Sequence, residues 1–364
     1  MRALQGTLIE GRQMPQRATP DSARRVSRLG GTGRLVNMRD HGRDTARILP
    51  SDENIRLQSQ RVIGAEPVST VPPASRFSAR VDHTCRARGV ALMGVLNVTP
   101  DSFYDGGRYT DVRAAIARLD QLVDEGADIV DVGAESSRPG AEPVESHEQI
   151  ERLEPIVRHA VKEVPALVSV DTTSPTVAEH MLQLGAHAIN DVSCLVNTQL
   201  ARVAAQHQAA LIIMHTRGDL GSMSGFSEYP DSAYQDVVAD TLAEWLDARD
   251  RALSAGMAAD AVFLDPGIGF AKNARHSFAI LRRLEEYRRA GARIVVGPSR
   301  KSFIAAVDPS SPDERLGGTI AACLLCYQRG AAVLRVHDVG AVRQAIAVAS
   351  AAEPSSDWPE GPDA

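Results

Sequence analysis

Lysine is nearly absent from this 364-residue chain: Lys162, Lys272 and Lys301 are the only three among 40 basic residues. In a chain that otherwise uses arginine, Lys301 suggests that a compact single charge is needed there, which an arginine fork does not supply. No apolar run reaches the roughly 18 residues needed to span a bilayer, and the N-terminus lacks the apolar core of a signal peptide, which points to the cytoplasm and away from membranes. Gly-x-Ser-x-Gly, His-Glu-x-x-His and Walker-type loops are missing, which removes the common serine hydrolase, zinc protease and P-loop readings. Cysteines are four. Cys323 and Cys326 have the spacing of a metal or redox pair but sit in Ala321–Tyr327, which reads as a buried helix without a second ligand pair, so they are core thiols. Cys85 and Cys194 have no evident partner.

What is present is unevenly spread. The formal charge is -6, yet residues 1–90 hold 16 Arg against 8 acids, a net of +8 that leaves -14 for residues 91–364. Residues 1–85 show no sustained period and are rich in Arg, Ser, Pro and Gly, so they read as a disordered basic extension; a start codon set too early is the other account of them. Nucleic-acid binding is not expected, since arginine is favoured throughout. Residues 86–352 read as one large domain and residues 353–364 as a flexible tail.

Within that domain, eight short β-type runs alternate with helical patterns: Ala91–Val98, Asp128–Val132, Ala166–Val170, Ala188–Asn190, Leu211–Met214, Val262–Leu264, Arg293–Val296 and Val333–Val336. Ile116, Leu119, Leu122 and Val123 mark a helix face closing at Gly126, and Val177, Met181 and Leu184 another before Gly185. Eightfold alternation predicts the α/β class, as a (β/α)8 TIM barrel with a disordered N-terminal extension. An open doubly wound sheet is the alternative, but no Gly-x-Gly-x-x-Gly opens a first helix.

A barrel gathers all strand C-terminal ends at one mouth, and here those ends are polar: Asn97, Glu135 to Arg138, Asp171, Asn190-Asp191, His215, Asp265, Ser299 to Ser302, and Arg335 with His337. Arg138, Arg335 and His337, near Lys301, suit a phosphate or diphosphate. Asn97 with Asp101 or Asp105 can hold Mg²⁺ against it. Asp171, Asn190 and Asp265 match the donor-rich edge of an aminopyrimidine-type heterocycle; a paired acid and base for hydrolysis is the rival reading.

These segments resemble the dihydropteroate synthase family over about residues 90–350. The resemblance rests on Met93–Phe103, Asp131–Gly140, Ser169–Asp171, Asn190–Ser193, Asp265–Phe270, Ser299–Phe303 and Arg335–Asp338. It implies that 6-hydroxymethyl-7,8-dihydropterin diphosphate is condensed with 4-aminobenzoate by Mg²⁺-assisted loss of diphosphate and amine attack. By that resemblance Asp171, Asn190, Asp265 and Lys301 hold the pterin, and Asn97 binds Mg²⁺. Asn97, Ser137, Arg138, Arg335 and His337 take the diphosphate, while Ser137, Pro139, Phe270 and Ser302 frame aminobenzoate. Asp105 joins Arg138, Lys301, Arg335 and His337 in the chemistry from a closing loop. A homodimer and sensitivity to sulfonamides are implied as well.

The chain departs from the family pattern at Tyr104, Ser137, Cys194 and Ala271, where the family commonly has Ser, Thr, Gly and Gly. Methyltransferases on the same pterin-binding barrel lack the Thr99–Phe103 loop and the Ser299–Ser302 segment, and a non-catalytic pterin binder would not keep Asn97, Arg138, Lys301, Arg335 and His337 together.

Overall fold

The computed structural model describes residues 73–98, 108–135, 144–218 and 229–352. The basic extension up to residue 72, the tail from residue 353, and the calls on Asp101, Tyr104, Asp105, Ser137, Arg138 and Pro139 lie outside the described residues.

Eight parallel strands appear within one or two residues of the predicted runs: β1 (Ala91–Asn97), β2 (Ile129–Gly133), β3 (Leu167–Asp171), β4 (Ala188–Asp191), β5 (Ala210–Met214), β6 (Val262–Asp265), β7 (Val295–Val296) and β8 (Val333–Val336). Their order, β6-β5-β4-β3-β2-β1-β8-β7, runs in sequence around the sheet. A bridge between Leu264 and Ile294, with the Leu264 N–H donating to Arg293 O at 2.9 Å, joins β6 to β7 and closes the barrel. The strands are apolar because both faces are covered. Their outward residues, such as Val130, Val132, Ile189 and Ile213, pack under the surrounding helices. Those helices include α2 (Arg108–Asp124), α3 (Ser146–Glu163), α4 (Pro175–Gln183), α5 (Gln199–Gln206) and α6 (Val237–Ser254). They continue with α7 (Ala274–Arg282), α8 (Leu284–Arg289), α9 (Ser302–Ala305), α10 (Leu316–Gln328) and α11 (Val339–Ala351). Gly185, where α4 was expected to close, has φ +103°, the left-handed conformation that ends a helix without steric cost. Cys323 and Cys326 are buried on α10, as expected of core thiols.

The expected domain boundary at residue 86 needs correction. Residues Pro73–Arg88 form a helix, α1, and it belongs to the barrel. Phe77 and Val81, one turn apart, enter the barrel's lower interior with Met93, Ile129, Leu167, Ile212, Phe263 and Val333. The Phe77 and Phe263 rings meet edge to face with centroids 5.3 Å apart. Polar contacts pin the helix: Ser78 Oγ donates to Asp260 O at 2.8 Å, Arg293 pairs with Asp82 at 2.9 Å, and Arg88 pairs with Asp128, whose carboxylate also accepts from Leu92 N. The short apolar stripe is diluted by arginines, so α1 carries little hydrophobic signal in the sequence although it seals the barrel floor.

Candidate active site

Strand periodicity decides which polar groups face the mouth. Residues two apart share a face, and Ile129, Leu167, Ala188, Phe263 and Val333 point into the barrel floor. Two residues further on, Asp131, Ser169, Asn190, Asp265 and Arg335 must point into the layer above, and Asp171 lies above Ser169. The same rule turns Asp191 and His215 outward. These two strand-end residues do not join the mouth: Asp191 accepts from Ser193 N, Ser193 Oγ and Leu195 N to shape a turn, and His215 is enclosed behind β5.

Inside the mouth Arg335, Asp131, Asp171 and Asn190 form a connected set, flanked by Lys301, Asp265 and His337. Arg335 Nε donates to Asp131 Oδ2 at 2.7 Å and its Nη2 donates to Asp171 Oδ2 at 2.9 Å. Asn190 Nδ2 donates to the same Asp131 oxygen at 3.0 Å. Lys301 Nζ donates to Ile268 O at 2.6 Å and lies 4.6 Å from the centroid of Phe270. Asp265 Oδ1 accepts from Gly267 N at 2.7 Å. The Gly267 turn requires glycine: φ is +66°, and a Cβ there would stand 2.0 Å from His215 O. His337 Nδ1 meets Ser299 Oγ at 3.0 Å. Asn97, at the exposed end of β1, completes the rim.

Burial dominates the electrostatics. It pushes the Asp171 carboxyl up to about 7, with Arg335 pulling the other way. It also raises Asp265, opposed by Lys301. The Lys301 ammonium is drawn down to about 8 by burial, with Asp265 resisting and Arg335 adding to the fall. His337 is lowered to about 4 by burial and by the neighbouring charges of Arg335 and Arg300. Arg335 resists its own burial because Asp131 and Asp171 hold it charged. The Asp171 carboxyl and the Lys301 ammonium therefore sit near the edge between charged and neutral states, the condition in which a ligand's donors and acceptors decide the protonation.

Two groups escaped the sequence reading. Asp131 stands mid-strand in β2 and is fully buried; its signal was a lone acid in an otherwise apolar Ile129–Gly133 run. Lys272 is likewise fully buried, with its Nζ 2.9 Å from His215 Nδ1 and donating to His215 O and Phe270 O. Burial brings it down to about 7 against the pull of Asp265. From behind, it ties down the Pro266–Ala271 loop that Lys301 holds from the pocket side. The rarity of lysine, which drew notice to Lys301, was a signal for Lys272 as well.

Among the described residues no group of three or more His, Cys, Asp or Glu is arranged to hold a metal ion. Asn97 offers one neutral oxygen. Mg²⁺ commonly keeps several waters and completes its shell with one or two protein oxygens and substrate phosphates, and a single amide at a rim fits that habit.

Comparison with known proteins agrees with this geometry. The family model described as pterin binding enzyme matches residues 93–337. A dihydropteroate synthase of Synechocystis is 41% identical over 263 residues, covering 71% of this chain and 89% of that protein. A solved Xanthomonas albilineans dihydropteroate synthase with 4-aminobenzoic acid superposes with a TM-score of 0.67 at 37% identity, covering 73% of this chain and 94% of that one. The enzyme from that organism in complex with 7,8-dihydropteroate gives a TM-score of 0.64 at 34% identity over 73% and 95% of the two chains.

Proposed function

The chain belongs to the pterin binding enzyme family, among its dihydropteroate synthases, and from that premise we propose that it joins 4-aminobenzoate to 6-hydroxymethyl-7,8-dihydropterin diphosphate. The products are 7,8-dihydropteroate and pyrophosphate, made in the cytoplasm for tetrahydrofolate biosynthesis. The observation that carries this reading is the juxtaposition of Asp171, Asn190 and Asp265 with the single ammonium of Lys301 inside one barrel mouth. An aminopyrimidinone edge offers N–H donors to the three oxygens and a carbonyl to the ammonium. Buried carboxylates are costly without such partners.

Above the ring, Arg335 and His337 face the diphosphate, with Arg138 from the following loop. His337 is neutral when the site is empty; the arriving anion favours its protonated form and so adds a positive charge where the leaving group departs. Asn97 would hold a magnesium ion at this rim, which would supply electrostatic stabilisation of the departing charge. The carbon–oxygen bond breaks with its electron pair leaving on diphosphate, and the pterin ring spreads the resulting positive charge. The amine of aminobenzoate then forms the carbon–nitrogen bond and releases its proton to solvent. By family resemblance Phe270, Ser302, Ser137 and Pro139 would frame the aryl ring, and Asp105 would supply negative charge near the cationic carbon.

Exposed Leu316 and Leu325 on α10 and Val348 on α11 are the apolar surface on which we place a homodimer. The decisive experiment incubates the purified chain with both substrates. Dihydropteroate and pyrophosphate are expected only with Mg²⁺, and an arylsulfonamide is expected to compete with aminobenzoate. Absence of both products overturns the reading.

A further inference from the structure

We propose that Asp131 is the positioning residue that sets the heterocycle specificity of the mouth, by fixing which end of the Asn190 amide faces the ligand. An amide is two-faced: one end donates and the other accepts, and a half-turn about its last bond exchanges them. The hydrogen-bond partner decides the choice. Asn190 is buried at the end of β4, and its Nδ2 is committed to Asp131 Oδ2 at 3.0 Å. That oxygen also receives Arg335 Nε at 2.7 Å. An oxygen paired with a guanidinium serves as an acceptor, so the amide nitrogen must turn toward it, and Asn190 Oδ1 is left to the mouth. Asp131 is wholly buried on β2 in the layer beneath Asp171. It therefore acts on a ligand through Asn190 and Arg335 and not by contact.

With the amide held this way, Asp171, Asn190 and Asp265 all present oxygens, and the mouth selects rings whose edge carries donors. Reversing Asn190 would set an N–H against an N–H and reward a ring with an extra carbonyl. The inference rests on the pterin reading above and makes it more specific: the donor-rich 2-amino-4-oxo edge is preferred to the 2,4-dioxo edge of the corresponding lumazine because Asp131 forbids the flip.

The test measures binding of 6-hydroxymethylpterin and 6-hydroxymethyllumazine to the full chain by calorimetry. The unaltered protein is expected to prefer the pterin. In Asp131→Asn, either end of the Asn190 amide can satisfy its neighbour, and the pterin-to-lumazine preference is expected to fall roughly 10- to 100-fold, the range for one buried hydrogen bond mismatched. The exchanged pair, Asp131→Asn with Asn190→Asp, keeps the charge count and the hydrogen bond with an oxygen still facing the ligand. It is expected to recover the preference, and it also supplies the answer if Asp131→Asn alone fails to fold. Unchanged preference in Asp131→Asn, or an exchanged pair that folds without recovering it, overturns the inference. If the unaltered protein binds neither ring, the pterin reading itself falls.

Discussion

The two ends of this barrel are built from opposite materials. At the floor, Phe77, Val81, Met93, Ile129, Leu167 and Phe263 interlock without a charged side chain in the cluster. Above it, on the same barrel strands, Asp131, Asp171, Asn190, Asp265 and Arg335 gather, with the Asp171 and Asp265 carboxyls raised by burial. The floor gains stability from area removed from water. The mouth forgoes part of that gain to keep groups poised for a ligand. Stability and chemistry are thus separated by two to four residues along the strands that supply both.

Three perturbations test that division. The largest effect is expected at the floor: Phe77→Ala should cost about 3–5 kcal/mol of unfolding free energy, the usual range for deleting a buried phenyl group, read by urea denaturation. The kcat of the folded fraction should stay near its original value. A large fall in kcat with intact stability would break the comparison.

Within the mouth, His337 is the group expected to respond to acid; His187 and His215, lowered to about 4 outside it, add a background common to every variant. His337 is kept neutral down to about 4, whereas the unfolded chain protonates it near 6.5. Between those values the unfolded state binds more protons, so His337 makes stability fall as pH drops from 6.5 toward 4. His337→Asn should flatten the melting temperature against pH over this window, while the deficit of Phe77→Ala should stay constant across it. Equal slopes for the original chain and His337→Asn would remove the histidine from the account.

The smallest effect is expected at Ala271, which stands at φ +49° on the loop after β6. A side chain in that conformation costs about 1–2 kcal/mol, partly offset by the greater freedom glycine has when unfolded. Ala271→Gly should therefore raise stability by about 0.5 kcal/mol, read from the midpoint of denaturation, with pterin binding unchanged. Cys194, the other position where the family commonly has glycine, shares the left-handed backbone at φ +59°.

Much of this was legible in the sequence, and the omissions have physical reasons. Buried parallel strands announce themselves as apolar runs, so all eight strands were found at nearly their true limits. Asp171, Asn190, Asp265 and Arg335 were placed correctly toward strand ends, while Lys301 stands at the start of α9, five residues past the end of β7. What a strand end does not reveal is facing, and Asp191 and His215 were grouped with the mouth until the inward register of Ala188 and Ile212 turned them outward. Asp131 was overlooked because attention to strand ends passes over an acid in mid-strand. The helix α1 was read as part of the disordered arm because two buried apolar residues on one face weigh little against four arginines in sixteen residues.

Sealing the floor with α1 also fixes the traffic through the barrel. A cup closed from below is entered and left at its rim, so whatever occupies the deep layer around Asp171 and Asp265 must arrive before anything seated above it and depart after it. The order of binding and release then follows from architecture, and a molecule lodged near Phe270 would trap the deeper ligand beneath it.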